Sequence, residues 1–204
     1  MPRPGGCTFA EDPGIRAPAA RLLWCAELDP GALLVDARPI EGHDADAIDP
    51  AVLARWLTVV VDGDGGEHAV LSDGWHHLRL DLASGTLSAG PVLLDCRLSV
   101  GAAARPRLMT LRRLIELALQ RRFLRSLFPP DPRVARWLAA LQVHDGLAAG
   151  ASLREIADML YGTERVAAEW DGRSDSLRSR VRRLAGEARR LGQGGYRLLM
   201  RRGG

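Results

Sequence analysis

Arginine is concentrated near the carboxy-terminal end of the chain, where its guanidinium groups could bind phosphates. Residues 173–202 contain 10 Arg against only two acids, Asp175 and Glu187, and the whole chain contains no lysine. A guanidinium group donates two parallel hydrogen bonds to a phosphate or to the N7 and O6 atoms of guanine. Arginine-rich faces are often only solvated surface, but such surfaces usually mix both signs of charge. The scarcity of acids therefore favours a nucleic-acid site.

The spacing of apolar residues predicts that one helix, over about residues 174–191, presents these arginines. Its apolar residues recur at steps of four, three, four and three, which forms a single buried stripe at 3.6 residues per turn. The stripe consists of Leu177, Val181, Leu184, Ala188 and Leu191. The opposite face carries arginines around two small residues, Ser179 and Gly186. Small residues at that place would let the helix backbone approach a phosphodiester or a groove floor.

The candidate contacts divide by their position along this helix. Arg178, Ser179 and Arg182 lie near its start and are predicted to face the DNA bases, while the arginines farther along are predicted to hold phosphates. The full predicted DNA-binding set is Arg173, Ser174, Ser176, Arg178, Ser179, Arg182, Arg183, Arg189, Arg190, Arg197 and Arg201.

Three further helices are predicted ahead of the basic one, over about residues 107–127, 132–149 and 153–161. The third begins with the capping-box pair Ser152 and Glu155. Its apolar residues Ile156, Met159 and Leu160 are predicted to point inward.

A short helix, a turn containing glycine and a helix with a basic outer face is the plan of the helix-turn-helix. Here Gly162 opens the connection, which runs to Arg173 and is about three times longer than the usual turn. We predict one helical turn within it, around residues 166–170. The tail at 196–200 is predicted as a short strand or an irregular end.

The two halves of the chain carry opposite charge. Residues 1–104 contain 7 Arg against 15 Asp and Glu, a net charge of −8, whereas residues 105–204 contain 21 Arg against 10, a net charge of +11. Such asymmetry indicates two modules, one of which meets a polyanion.

Residues 56–98 show the pattern of an antiparallel sheet. Alternating or β-branched apolar segments at 56–61, 67–71, 75–82 and 86–98 are separated by glycine-bearing turns. We predict a meander of about four strands, with an irregular arm over residues 1–50 in which the apolar segments 22–24 and 33–35 either form strands or lie against the next module. The fold class is therefore α+β, with an acidic β-rich module at 1–104 and a basic helical domain at 105–204.

Other kinds of site find little support in the sequence. His76 and His77 would point to opposite faces of a strand, so we predict no metal site there. Sequence motifs of hydrolases, P-loops and dinucleotide-binding enzymes are missing, so we predict no enzymatic activity, cofactor or small-molecule substrate. The three cysteines are typical of reduced thiols, and no apolar run approaches the ~20 residues of a membrane span. We expect a cytoplasmic protein whose tryptophans anchor its cores.

The basic region resembles the bacterial domain of unknown function 2285. The resemblance covers about residues 105–202 and is carried by GASLREIA at 150–157, Trp170, SDSLRSRVRRL at 174–184 and GYR at 195–197. It implies an extended-turn variant of the helix-turn-helix, which would account for the long connection. Members of that family include transcriptional activators and antiactivators of integrative and conjugative elements, and activators bind DNA through a positively charged face.

The resemblance implies a DNA-binding transcriptional regulator of a mobile or conjugative element. One departure concerns the additional amino-terminal domain of the activators, whose Trp- and Arg-rich motif is not found in residues 1–104. The alternative is an antiactivator-like module that binds another transcriptional regulator through the acidic half or the helix of Trp137, without touching DNA. RNA binding is a third hypothesis.

Overall fold

The computed structural model describes residues 12, 14–16, 19–21, 23, 28–101, 104–170 and 176–202. The chain forms two compact units. The first, which we call the sheet unit, comprises residues 1–129 with 200–204, and the second, the helical unit, comprises residues 130–199.

The sheet unit contains one five-stranded mixed sheet. Its strands lie in the order β2-β3-β4-β1-β5, and β1 pairs parallel to β4 and antiparallel to β5. The strands β2, β3 and β4 form an antiparallel meander. The bounds are β1 Leu33–Pro39, β2 Leu57–Val61, β3 Glu67–Ser72, β4 His77–Ser84 and β5 Val92–Arg97.

The predicted α+β class is confirmed, but the predicted meander of four strands is only partly right. The strand β1 enters the sheet between β4 and β5, so the last strand pairs with the first and not with β4. Within β1, Leu33, Val35 and Ala37 are all buried. Their burial at the sheet centre places this short strand in the interior, where a parallel partner supplies its second set of hydrogen bonds.

The first long helix packs with the sheet. After the short helix α1, Pro50–Leu53, the helix α2 spans Ala104–Gln120 and buries Leu114 and Leu117 in the same core as Leu33 and Leu80. A sheet must cover its apolar face, and α2 does so here. The compact unit therefore extends past residue 104 to Pro129. The predicted division of the chain at residue 104 into an acidic module and a basic domain stays a prediction.

The helix α2 is also shorter than predicted. It ends at Gln120, and the next residue, Arg121, adopts a left-handed backbone with φ +52°. A left-handed residue cannot continue a right-handed helix. A single 3₁₀ turn, Arg125–Leu127, occupies the rest of the predicted helical stretch.

Within the described residues, the helical unit contains four complete helices and the beginning of a fifth, which continues past residue 199. Their bounds are α3 Val134–Ala148, α4 Leu153–Tyr161, α5 Thr163–Glu169, α6 Ser176–Arg190 and α7 Tyr196–Arg202, with a π-type segment Leu191–Gly195 between the last two. The core lies between α3, α4, α5 and α6, where Val143, Ile156, Val166 and Val181 are almost completely buried.

The predicted strand or irregular tail at 196–200 is a helix. Gly194, with φ +100°, breaks the helical path after α6. The residues that follow, such as Leu198, Leu199 and Arg201, are good helix formers, so a new helix begins at Tyr196.

Candidate nucleic-acid interface

The inner face of α6 fixes the orientation of its arginines. Leu177, Val181, Ala185 and Ala188 are at most 2% exposed, and Leu184 and Leu191 pack against the same core. The predicted stripe is thus buried, with Ala185 as an additional member. Because α3 and α4 both pack against α6, the helix cannot rotate without opening this core, and its outer face is held toward solvent.

The capping box holds the start of α4. The Ser152 hydroxyl accepts a hydrogen bond from the Glu155 backbone N–H at 3.3 Å, and the Glu155 carboxylate accepts one from the Ser152 N–H at 2.7 Å. The backbone hydrogen bond keeps the pKa of Glu155 below its ordinary value. This reciprocal pair, predicted from the sequence, satisfies two of the donors that every helix start leaves open.

The inward face of α4 differs from the prediction at one residue. Ile156 and Ala157 are buried, but Met159 is 53% exposed. Tyr161 packs against the core in its stead. The nine-residue helix turns its side chains through 100° per residue, and Met159 falls just outside the buried arc.

The connection between α4 and α6 contains a complete helix, where we predicted a single turn. Gly162, with φ +86°, separates α4 from α5. Val166 of α5 is buried, and Trp170 at its end packs against the same core. The connection is therefore a structured element up to Trp170, and residues 171–175 lie outside the described part of the chain.

The outer face of α6 presents arginines that lack a partner within the described residues. Arg182, Arg183, Arg189 and Arg190 are all exposed. Each forms no hydrogen bond or ion pair with any residue that the structure describes. Their guanidinium groups are thus available to an external acceptor. Arg180, which the sequence-based set omitted, is also exposed on this helix, and its position 100° from the buried Val181 could have revealed it.

Arg178 has a different environment from these four arginines. Its side chain is half-buried, its Nη2 atom donates to the Trp170 carbonyl oxygen at 3.1 Å, and its guanidinium lies 5.6 Å from the centre of the Trp170 ring. This pair links the start of α6 to the end of α5. The predicted base contact by Arg178 stays a prediction, as does that of its half-buried neighbour Ser179.

The single acidic residue described on α6 forms an ion pair with a residue of a neighbouring helix. Glu187 accepts two hydrogen bonds from Arg136 of α3, at 2.6 and 2.9 Å. The same contact raises the pKa of Arg136. Glu187 therefore leaves the positive charge of the outer face uncompensated.

The remaining predicted contacts cannot be placed on this face. Arg173 and Ser174 lie outside the described residues, and so do the side chains of Ser176 and Arg201. Arg197 is exposed on α7, with its guanidinium 5.9 Å from the ring centre of Tyr196.

His76 of the sheet unit has structural surroundings. The Nδ1 atom of His76 lies 2.9 Å from the Asp73 carboxylate, and its ring packs against Phe123 and Phe128. Within the described ranges, His, Cys, Asp and Glu form no group of three that could hold a metal ion.

The predicted core role of the tryptophans is wrong for Trp75, which is 82% exposed. It follows Gly74, whose φ is +95°, in the turn before β4, so it lies outside the sheet pattern. Trp56 packs edge-on against Phe123, whereas Trp137 is half-buried beneath Arg133. Trp24 lies outside the described residues.

Among the helices in the described part of the chain, none is long and apolar enough to cross a membrane.

Comparison with known proteins gives one family. No curated protein matches the chain. The sequence model of a family of transcription-factor DNA-binding domains matches residues 97–201, which is slightly more than half of the chain and includes α2 to α6. The predicted DNA-binding regulator is thereby confirmed. The assignment to domain 2285 and to a mobile or conjugative element stays a prediction. The chain belongs to the family described as T6SS, transcription factor, DNA-binding domain (RovC_DNA-bd).

Proposed function

We propose that the helical unit binds double-stranded DNA through the outer face of α6 and that the chain regulates transcription from specific sites. The observation that carries this proposal is the set of four exposed arginines, Arg182, Arg183, Arg189 and Arg190, on a helix whose other face is locked into a core. Because these cations have no acidic partner within the described residues, an external polyanion is the chemistry that suits them.

The order of elements supports a helix-turn-helix mode of binding. In this proposal α4 is the supporting helix and α6 is the recognition helix, and α5 fills the extended connection between them. The first turns of a recognition helix contact base edges, so Arg182 and Ser179 are the candidates for sequence readout. Arg183, Arg189 and Arg190 would then hold phosphates, which orient the protein without reading sequence.

The regulated genes are a separate part of the proposal. The description of the family names T6SS transcription factors, which favours genes of type VI secretion. The resemblance to domain 2285 favours genes of a mobile or conjugative element. Either role would place the protein in the bacterial cytoplasm, where its DNA is.

A gel-shift experiment with the full chain tests the proposal. A random-sequence duplex and a duplex from the promoter region of the neighbouring operon are titrated at low and at physiological salt. We expect a shift that weakens steeply with salt, because each neutralised phosphate releases counterions, and a tighter complex with the promoter duplex. Competition with structured RNA should displace the duplex poorly.

Two outcomes would overturn the proposal. A complex that structured RNA disrupts more readily than duplex DNA would reassign the face to RNA. The absence of any shift at low salt, together with copurification of a defined regulator, would support the antiactivator hypothesis.

A further inference from the structure

Gly186 lies in the carboxy-terminal half of α6, four residues before its last residue Arg190, and nothing in the described chain gives it a structural role. It is exposed, its φ lies outside the left-handed range, and a Cβ atom built on it would meet nothing within 4 Å beyond its chain neighbours and the backbone of its own helix. Glycine destabilises the interior of a helix relative to alanine, since its backbone loses more freedom on folding. Neither packing nor backbone geometry therefore explains this glycine.

The four unpartnered arginines surround Gly186. Arg182 and Arg183 lie four and three residues before it, and Arg189 and Arg190 lie three and four residues after it. Residues at these spacings are neighbours on a helix surface. The two arginine pairs are about 10 Å apart along the helix axis at 1.5 Å per residue, and the glycine leaves the space between them open. We call this arrangement the Gly186 notch.

No acid fills the notch from within the described residues. Glu187 is adjacent in sequence, but it points 100° away around the helix and its carboxylate is bound by Arg136 of α3. The notch thus combines two pairs of cationic donors with a backbone that a ligand can approach closely. A phosphate group, which is anionic and accepts hydrogen bonds from guanidinium forks, suits these features.

We propose that a phosphodiester strand of the DNA crosses α6 at Gly186, with a phosphate seated in the notch and held by Arg183, Arg189 and Arg190. Arg182, the candidate for base readout, borders the notch on the side of the helix start. This inference rests on the proposed function and adds to it the place where the backbone of the duplex meets the helix. The glycine is then retained for close approach of the ligand, at a cost to the stability of the free protein.

The test uses two substitutions that change the shape of the notch and leave its charge unaltered. Gly186→Ala adds one methyl group, and Gly186→Leu fills the notch. The matched control is Ala168→Leu, which adds bulk at an exposed position of α5. The full-length proteins are titrated with a fluorescein-labelled random-sequence duplex, since phosphate contacts do not depend on sequence, and their Tm is measured without DNA.

We expect Gly186→Ala to raise Tm while weakening duplex binding by about fivefold, and Gly186→Leu to weaken it by about thirtyfold or more. Ala168→Leu should leave the Kd unchanged. The opposite signs for Tm and affinity are the signature of a glycine kept for a ligand, because a merely destabilising variant would lose both.

The outcomes separate this inference from the proposed function. If the unaltered protein fails to bind any duplex, the proposed function is overturned and the inference with it. If it binds, but Gly186→Ala and Gly186→Leu bind as tightly as the unaltered protein, only the crossing at Gly186 is overturned. If Gly186→Leu does not fold, the Gly186→Ala variant still decides between these results.

Discussion

The strands of the sheet unit and the outer face of α6 differ in whether their charged side chains form ion pairs. On the strands, acids and arginines are matched within the unit: Arg97 donates to Asp36 at 2.6 Å, and the buried Arg79 donates to Asp81 at 2.8 Å. The Arg97 contact and the Ser84 hydroxyl hold the pKa of Asp36 below its ordinary value. On α6, by contrast, Arg182 and its neighbours have no such partner within the described residues.

The difference is not one of composition alone, since the helical unit also pairs charges where acids are present. Arg136 binds Glu187, Arg165 binds Glu169 and Arg133 binds Asp131. Within the described part of the helical unit, the exposed arginines that form no ion pair, hydrogen bond or ring contact lie on α6, apart from Arg154 near the start of α4. This teaches that the position of acids, and not only the net charge of +11 in residues 105–204, selects the surface available to a polyanion.

The largest expected effect comes from disrupting the core that orients this face. Val181→Asp should destabilise the helical unit by more than about 4 kcal/mol, because it buries an unpaired carboxylate at a site with no exposure. Urea unfolding followed by circular dichroism measures the loss. The control is Arg182→Asp at the adjacent exposed position, which should change the stability by less than about 0.5 kcal/mol. Equal losses in the two variants would show that Val181 does not lie in the core.

The next effect concerns two arginines of the same face. Arg182→Ala should weaken binding to a specific site by about 1–3 kcal/mol and relax sequence preference, because its side chain is proposed to read bases. Arg189→Ala should lower the affinity for all duplexes alike and flatten the salt slope by about one unit, because it is proposed to hold a phosphate. Anisotropy titrations with specific and random duplexes distinguish the two, and identical effects would refute the division of roles.

A smaller effect is expected at the capping box, on which the position of α4 depends. Ser152→Ala should lower the stability of the helical unit by about 1 kcal/mol, measured by thermal or urea unfolding. The control is Ala151→Ser, at the preceding half-buried position. When it is combined with Ser152→Ala, the added hydroxyl should not restore the lost stability. Full stability in Ser152→Ala would contradict the observed cap.

The Glu155 half of the box adds a pH dependence. The folded pKa of Glu155 lies below its ordinary value, so its contribution is present above the pKa of the unfolded chain and is lost as the pH falls through the lower folded pKa. Glu155→Gln should therefore show a flatter decline of stability in acid. Parallel pH profiles for the two proteins would argue against the hydrogen bond to the Ser152 N–H.

The smallest effect is expected at Trp75. Because its side chain is 82% exposed, Trp75→Ala should change the stability of the sheet unit by less than about 0.5 kcal/mol. Trp56→Ala, which removes a ring packed against Phe123, is the comparison and should cost several times more. Similar losses in the two variants would restore the original prediction that both anchor the core.

Local patterns predicted the helices α3, α4 and α6 but not the full extent of α5 or the helix α7, and the non-local pairing of the sheet was not predicted. The buried stripe of α6 and the capping box depend on residues three or four apart, so the sequence displays them directly. The parallel pairing of β1 with β4 places Leu33 beside Leu80. The residue pattern of segment 33–39 does not predict which strand it pairs with. The Arg178–Trp170 and Arg136–Glu187 contacts also depend on tertiary packing, and so they could not be predicted from spacing.

Binding of duplex DNA to the unpaired arginines of α6 can be tested by the salt dependence of duplex affinity in two variants of equal charge. One replaces Arg182, Arg183, Arg189 and Arg190 by alanine. The other replaces four arginines that form ion pairs with Asp95, Asp36, Asp131 and Glu169, namely Arg38, Arg97, Arg133 and Arg165. We predict that the first flattens the slope of log K against log salt by about three units, at about 0.9 units for each of the three proposed phosphate contacts, and that the second leaves it unchanged. Equal flattening in both variants would show that DNA responds to net charge alone and would contradict the assignment of this face.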